Sequence, residues 1–240
     1  MALRSFRQGL SVDFKPDGTP VTAADREIEQ ALRDELTRQR PADAVLGEEL
    51  GARGVSPRRW LLDPIDGTSN FIRGNAEWGT HIALEVEQRI VLGVITRPAL
   101  GLCWWAARNC GAYRSELSPD SSGVRLHVSR QNDLSASRVT VWANEVDPIL
   151  ARLRSQVTWV EPSLDAILHL AEGRLEAVID RSGKPWDHAP AVIIVEEAGG
   201  AFSDSLGGHR LDLGEGRFTN GLIHGKLDAL LDPRFSDLIR

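Results

Sequence analysis

From Thr22 to Arg40 apolar side chains recur every four residues, at Ile28, Leu32 and Leu36, behind Thr22 and Asp25 at the spacing of an N-terminal capping pair. That pattern predicts an amphipathic helix, which Pro41 ends. The run VLGEE at 45–49 begins as a short extended segment. From Trp60 the period changes. WLLD at 60–63 and the stretches near 78–87, 90–97 and 102–108 are apolar or alternate apolar with polar residues. Glu87-Gln88-Arg89 and Pro98-Ala99-Leu100-Gly101 supply turns between them, so the pattern predicts a meander of strands. Further on it predicts strands over 138–142, 157–160 and 176–180 and helices over 147–154 and 163–172. Residues 186–198 are apolar almost all round and stop at Gly199-Gly200, the mark of a buried helix with a glycine C-cap. The polar run SELSPDSSG at 115–123 is the best boundary, dividing an α+β part (1–120) from an α/β part (121–240).

Composition narrows the function classes. The chain has 240 residues, 42% of them hydrophobic, enough for one large or two small domains with a real core. Lys and Arg number 28 against 34 Asp and Glu, and the resulting net charge of −6 argues against nucleic acid as a partner. The basic residues are nearly all Arg, with Lys only at 15, 184 and 226, which leaves few ammonium groups for catalysis. Cys103 and Cys110 form neither a disulfide framework nor a zinc site, and lying in or beside an apolar strand they read as core thiols. The N-terminal MALRSFRQGL lacks the apolar stretch of an export signal, and no window approaches the ~18–20 apolar residues of a membrane span. The expectation is a soluble, cytoplasmic protein with no membrane partner.

Acidic residues stand out in three places: Glu48-Glu49 after Gly47, Asp63 and Asp66 in WLLDPIDGTSNF (60–71), and Asp187 at the start of the apolar helix. Taken singly, each has a structural explanation: an exposed loop pair, a turn with a helix cap, and a charge favoured by the helix dipole. Together they suggest more. Pro64 interrupts ladder pairing after an apolar strand, so the following turn can aim Asp63, Asp66 and the Ile65 carbonyl at one point. Gly67-Thr68-Ser69 then opens a short helix whose free N–H groups suit a phosphate. Close carboxylates repel unless a cation lies between them, and oxygen ligands without His or Cys nearby favour Mg²⁺.

GEE at 47–49, WLLDPIDGTSNF and WDHAPAVIIVEEAGG at 186–200, in that order and rough spacing, resemble the inositol monophosphatase family of metal-dependent, lithium-sensitive phosphatases. KPDGTPVTAAD near the start and TNGLIH near the end extend the likeness over nearly the whole chain. The stretches RPADAVLGEE, DPIDGTSNFIRG and PALGLCWWAARNCGAY look closest to the bacterial histidinol-phosphate phosphatase branch. The resemblance implies a layered α/β/α/β/α sandwich, an α+β and α/β architecture with the active site between its two parts, and commonly a homodimer. It implies that Glu48, Asp63 and the Ile65 carbonyl hold one Mg²⁺, that Asp63, Asp66 and Asp187 hold a second, and that a third, weaker ion sits near Glu48. Asp25 and Thr68 would orient the attacking water with Glu48, the Gly67-Thr68 backbone would cradle the phosphate, and Asp66, Asp187 and Asp180 would touch the substrate. His188 beside Asp187 reads as a cap or packing residue, with orientation of Asp187 as the alternative.

The implied reaction is hydrolysis of a small phosphate monoester without a covalent phosphoenzyme. Inositol 1-phosphate is the generic substrate and histidinol phosphate its rival. Fructose 1,6-bisphosphate is disfavoured, because no extra basic residues for a second phosphate are evident. A catalytically idle regulatory protein is disfavoured too, because Glu48, Asp63, Asp66, Asp187, Thr68 and Asp25 are all present. The chain departs from the family where a Gly-Asp or Gly-Ser/Thr pair usually meets the substrate: it reads Glu161-Pro162-Ser163. Glu161 or Asp165 is open either to a substrate amine or hydroxyl or to a surface or capping role.

Overall fold

A computed structural model describes residues 1–9, 11–118, 120–143 and 148–231. The chain divides into two units, Met1–Arg125 with Pro185–Ile194, and Leu126–Lys184 with Val195–Arg240.

The first unit opens with one helical turn, α1 (Ala2–Ser5), and an antiparallel hairpin of β1 (Val12–Phe14) and β2 (Pro20–Thr22). Helix α2 (Ala23–Gln39) follows directly, within the predicted span. Asp25 Oδ2 closes its first turn by accepting the Thr22 backbone N–H at 2.8 Å and the Thr22 hydroxyl at 2.6 Å. Then come β3 (Ala44–Gly47), β4 (Gly51–Arg53), β5 (Arg58–Asp66), helix α3 (Thr68–Arg73), β6 (Gly79–Val86), β7 (Arg89–Arg97), β8 (Leu102–Ala107), β9 (Gly111–Glu116) and β10 (Val124–Arg125). The eight strands from β3 onward form one sheet in the order β10-β9-β8-β7-β6-β5-β3-β4, antiparallel except for the parallel pair β3 and β5. The expected meander is its centre.

The hairpin β1–β2 and strand β9 are additions to the sequence reading. Both are short and half polar, and β9 runs into the polar stretch that had read as a boundary, one residue of which, 119, lies outside the described residues. Trp104 is buried, and Trp105 stacks on Tyr113, its cross-strand partner, with ring centroids 4.6 Å apart. Phe71 and Trp78 are fully buried with Ile28 and Ile65 in a small core, the two rings edge to face. Each such ring contributes about 1.5–3 kcal/mol, which anchors both ends of the turn after β5. One expectation is corrected. Cys103 is half-buried in β8, but Cys110 is exposed, because it sits in the tight turn between β8 and β9 where Asn109 has a positive φ.

The second unit contains β11 (Arg138–Trp142), α4 (Pro148–Arg154), β12 (Thr158–Trp159), α5 (Ala166–Ala171) and β13 (Ala177–Asp180). Residue 147, where α4 was expected to start, lies outside the described residues. Helix α6 (Pro185–Glu197) has its first ten residues in the first unit and its last three in the second. β14 (Ala201–Asp204), β15 (Gly216–Thr219) and α7 (His224–Leu231) complete the described part. The sheet runs β12-β11-β13-β15-β14, with β11 parallel to β12 and β13, and β15 antiparallel to β13 and β14. Val139, Val141 and Ile179 pack with Leu150 and Leu153 of α4 and Leu227 and Leu230 of α7. β14 and β15 were not legible, because their buried positions include Ser203, Asp204 and Thr219, which break any apolar alternation.

Candidate active site

Strand β5 builds the site. Leu61 and Leu62 are fully buried, so the strand carries Asp63 into the interior, where it is 2% exposed. Pro64 has no N–H for the ladder. The pairing of β5 with β6 accordingly slips between Asp63↔His81 and Asp66↔Gly79, three residues on one strand against two on the other. In a regular strand residues three apart face opposite sides. The extra residue turns Asp66 to the side of Asp63 instead. Gly67 takes the left-handed conformation, φ 81°, and its carbonyl accepts the N–H groups of Asn70 and Phe71, so the chain leaves the strand directly into α3. The Thr68 hydroxyl lies 3.0 Å from the Ile65 carbonyl and 3.3 Å from Asp25 Oδ1, with one hydrogen to share.

Glu48 arrives from the neighbouring strand. β3 is parallel to β5 with Gly47 opposite Leu62, and the Glu48 N–H donates to the Leu62 carbonyl, so the Glu48 side chain starts beside Asp63. Two charged groups shape this turn. Lys15 Nζ lies 2.7 Å from both Glu48 Oε1 and Glu49 Oε1. Glu29, wholly buried on α2, accepts the backbone N–H groups of Glu49 at 2.7 Å and Leu50 at 3.2 Å and pairs with buried Arg33, which also donates to the Gly51 carbonyl. A Cβ at position 47 would run into the Glu29 carboxylate, so Gly47 is what lets the turn close over it.

Burial, together with the charges of Glu48, Asp66 and Asp187, pushes the Asp63 carboxyl well above the usual carboxylate range. Asp63 Oδ1 is buried and has no hydrogen-bond partner. An oxygen left bare among other carboxylates is costly, and a hard divalent cation taking several oxygen ligands is the group that fits it. Asp66 behaves oppositely. Burial would raise its carboxyl, but the His81 ring, with Nε2 3.1 Å from Oδ2, and Arg97, with Nη2 3.3 Å from the same oxygen, hold it below its usual value. Among the described residues, Asp63, Asp66 and His81 offer ligand atoms within 4.8 Å of one another.

Of the residues expected from sequence, Glu48, Asp63, Ile65, Asp66, Gly67, Thr68, Asp25 and Asp187 all belong to the first unit; hydrogen-bonding distances join Thr68 to Asp25 and Ile65, and the charges of Glu48, Asp66 and Asp187 act on Asp63. Asp180 and Glu161 belong to the second unit. Asp180 ends β13 and its Oδ1 accepts the Ser182 N–H at 2.9 Å. Glu161 is 83% exposed, 3.8 Å from Arg154, on an open cleft of about 580 Å³ that Trp159 and Leu150 also line. Sequence reasoning missed Lys15, Glu29, Arg33, His81 and Arg97. The histidine it singled out, His188, is buried on α6. His81 was discoverable only by counting register back from the turn at 87–89.

The chain is similar to known proteins over most of its length. It is 44% identical over 216 residues, 88% of this chain and 83% of the relative, to a Streptomyces griseus protein named glucose-1-phosphate thymidylyltransferase. It is 37% identical over 240 residues, 94% of this chain and 89% of the relative, to histidinol-phosphatase of Streptomyces coelicolor. Among solved structures it resembles the extragenic suppressor protein suhB of Bartonella henselae, with a TM-score of 0.83 at 27% identity over 97% of this chain and 93% of that one. The fold is the layered α/β sandwich expected from the sequence. With the protein-family model for the inositol monophosphatase family matching residues 2–239, the chain belongs to that family and is a phosphoric monoester hydrolase.

Proposed function

We propose that the chain hydrolyses the phosphate monoester of a small alcohol with Mg²⁺ held at Glu48, Asp63, the Ile65 carbonyl, Asp66 and Asp187. The observation that carries this reading is the bare, buried oxygen of Asp63, whose carboxyl is pushed up by burial and by the charges of Glu48, Asp66 and Asp187. When bound, Mg²⁺ makes a coordinated water more acidic and balances charge on the phosphate and the leaving oxygen. The chain's own groups do the rest. Asp25 and Thr68, already in hydrogen-bonding reach of each other, orient the water together with Glu48. Gly67 and Thr68 present the N–H groups at the start of α3 to the phosphate. Contacts of Asp180 and Glu161 with substrate hydroxyls or an amine belong to the same proposal.

For the substrate, the 37% identity to a histidinol-phosphatase favours histidinol phosphate, with inositol 1-phosphate as the second reading from the family as a whole. Inhibition by millimolar lithium, a homodimer in solution and a cytoplasmic location complete the proposal. The test is phosphate release from histidinol phosphate, inositol 1-phosphate, fructose 1,6-bisphosphate and glucose 1-phosphate, with Mg²⁺ and with EDTA. We expect Mg²⁺-dependent release, fastest from histidinol phosphate. Faster release from inositol 1-phosphate selects the second reading. Formation of dTDP-glucose from glucose 1-phosphate and dTTP, without phosphate release from any monoester, refutes both.

A further inference from the structure

The ligand set expected from the sequence is all oxygen, which is what pointed to Mg²⁺. The fold adds a nitrogen to it. His81 stands directly opposite Asp63 in the β5–β6 ladder, and opposed side chains of an antiparallel pair share one face with Cβ atoms about 4.5–5.5 Å apart. Only 6% of His81 is exposed. Both residues of this pair keep a bare ligand-type atom: His81 Nδ1 and Asp63 Oδ1 are buried without a hydrogen-bond partner. Asp66 completes the group, since the three residues offer ligand atoms within 4.8 Å of one another.

The other ring nitrogen is engaged. His81 Nε2 lies 3.1 Å from Asp66 Oδ2 and 3.2 Å from Arg97 Nη1. One nitrogen cannot donate to the carboxylate and accept from the guanidinium at once. With its proton on Nε2 the ring donates to Asp66, Arg97 Nη1 keeps the Thr96 carbonyl at 3.3 Å, and Nδ1 carries a free lone pair. With its proton on Nδ1 the ring buries an N–H that meets no acceptor and turns a lone pair towards Asp66, which is the costlier arrangement. The first form is the one in which a histidine serves a metal ion, with one nitrogen free and the other donating to a carboxylate.

We propose that His81 Nδ1 is a metal ligand beside Asp63, and that it gives the carboxylate site a preference for a divalent first-row transition ion such as Mn²⁺ over Mg²⁺. The inference rests on the metal-dependent reading above and concerns which ion resides there. Imidazole nitrogen suits transition ions, whereas Mg²⁺ keeps to oxygen and gains little from it. Asp66 then has a second task, which is to hold the ring through Nε2.

The experiment titrates the metal-stripped, full-length protein with Mn²⁺ alone and with Mg²⁺ alone, for the wild type, His81→Leu and His81→Gln, each shown to be folded by its far-UV spectrum. Electron spin echo of the Mn²⁺-loaded protein reports whether a nitrogen is bound to the ion. The wild type is expected to show nitrogen modulation. Both variants lose it, and their Mn²⁺ affinity falls by about 100-fold while their Mg²⁺ affinity stays within about threefold of the wild type. His81→Gln keeps an N–H for Asp66, so it separates ligation from mere positioning of that carboxylate. Recovery of wild-type Mn²⁺ affinity in His81→Gln overturns the proposal, as does an equal loss of Mn²⁺ and Mg²⁺ binding in the folded variants. Nitrogen modulation that survives in a folded variant overturns it too. An echo without nitrogen modulation in the wild type overturns it even if neither variant folds. A wild type that binds neither ion overturns the metal-dependent reading itself.

Discussion

Replacing Asp63 with Asn should give a protein that has lost Mg²⁺-dependent turnover by about 10³-fold or more and yet melts higher than the wild type when both are free of metal. The loss follows because a metal ligand supplies several kcal/mol of transition-state stabilisation, and each ~1.4 kcal/mol is tenfold in rate. The gain follows from the burial of Asp63, where an amide removes a carboxyl whose ionised form is disfavoured by burial and by the charges of Glu48, Asp66 and Asp187, and whose Oδ1 has no hydrogen-bond partner. Relief of about 1–2 kcal/mol corresponds to about 2–8 °C in a protein of this size. The pH dependence has a definite sign. The folded metal-free protein binds the Asp63 proton more tightly than the unfolded chain does. Its stability is therefore greatest below the unfolded carboxylate value and falls as pH rises through the raised folded one. Asp66, held low, gives the opposite slope, confined to more acidic pH. Calorimetric melts in EDTA across the acid-to-neutral range should show that slope in the wild type and a flatter one in Asp63→Asn. A lower melting point for Asp63→Asn without metal would show that Asp63 is satisfied some other way.

Glu29→Ala should be the most destabilising single change near the site that leaves every proposed Mg²⁺ ligand in place. Glu29 is fully buried, as is all but a few per cent of Arg33. Removing the carboxylate strands the Arg33 charge and leaves the N–H groups of Glu49 and Leu50 without their acceptor. Breaking one side of a buried ion pair costs about 3–5 kcal/mol, or about 6–20 °C here. Because those N–H groups belong to the turn that carries Glu48, Mg²⁺ affinity should fall as well, by about 10–100-fold. Glu29→Gln keeps an acceptor for the Glu49 N–H and should fall between. The measurements are thermal melts with and without Mg²⁺. An unchanged melting point in Glu29→Ala would mean that the turn is held by Lys15 alone.

The parts of this protein that were legible in its sequence are those whose signal is local. Thr22 and Asp25 cap α2 across three residues, the 28-32-36 stripe spans one helix face, and Pro64 and Gly67 mark where β5 slips and ends. What was not legible depends on register. His81 meets Asp63 only because β6 runs antiparallel to β5, and Arg97 reaches Asp66 across 31 residues of sequence. Glu29 and Arg33 lie one residue along from the apolar stripe of α2, where a helix reading places solvent, yet the turn after β3 covers them. Lys15 looked like one of three scattered lysines until the β1–β2 hairpin brought it to Glu48. A charge that is buried by a partner distant in sequence leaves no periodic trace.

The turn between β8 and β9 has a practical use. Of the two cysteines, Cys103 is partly enclosed and burial pushes its thiol up, so little thiolate forms there, while Cys110 stands in solvent. A maleimide dye added at one equivalent near neutral pH should therefore conjugate at Cys110 ahead of Cys103, as peptide mass mapping would show, giving a native attachment point for a fluorophore or a surface tether that spares the carboxylates.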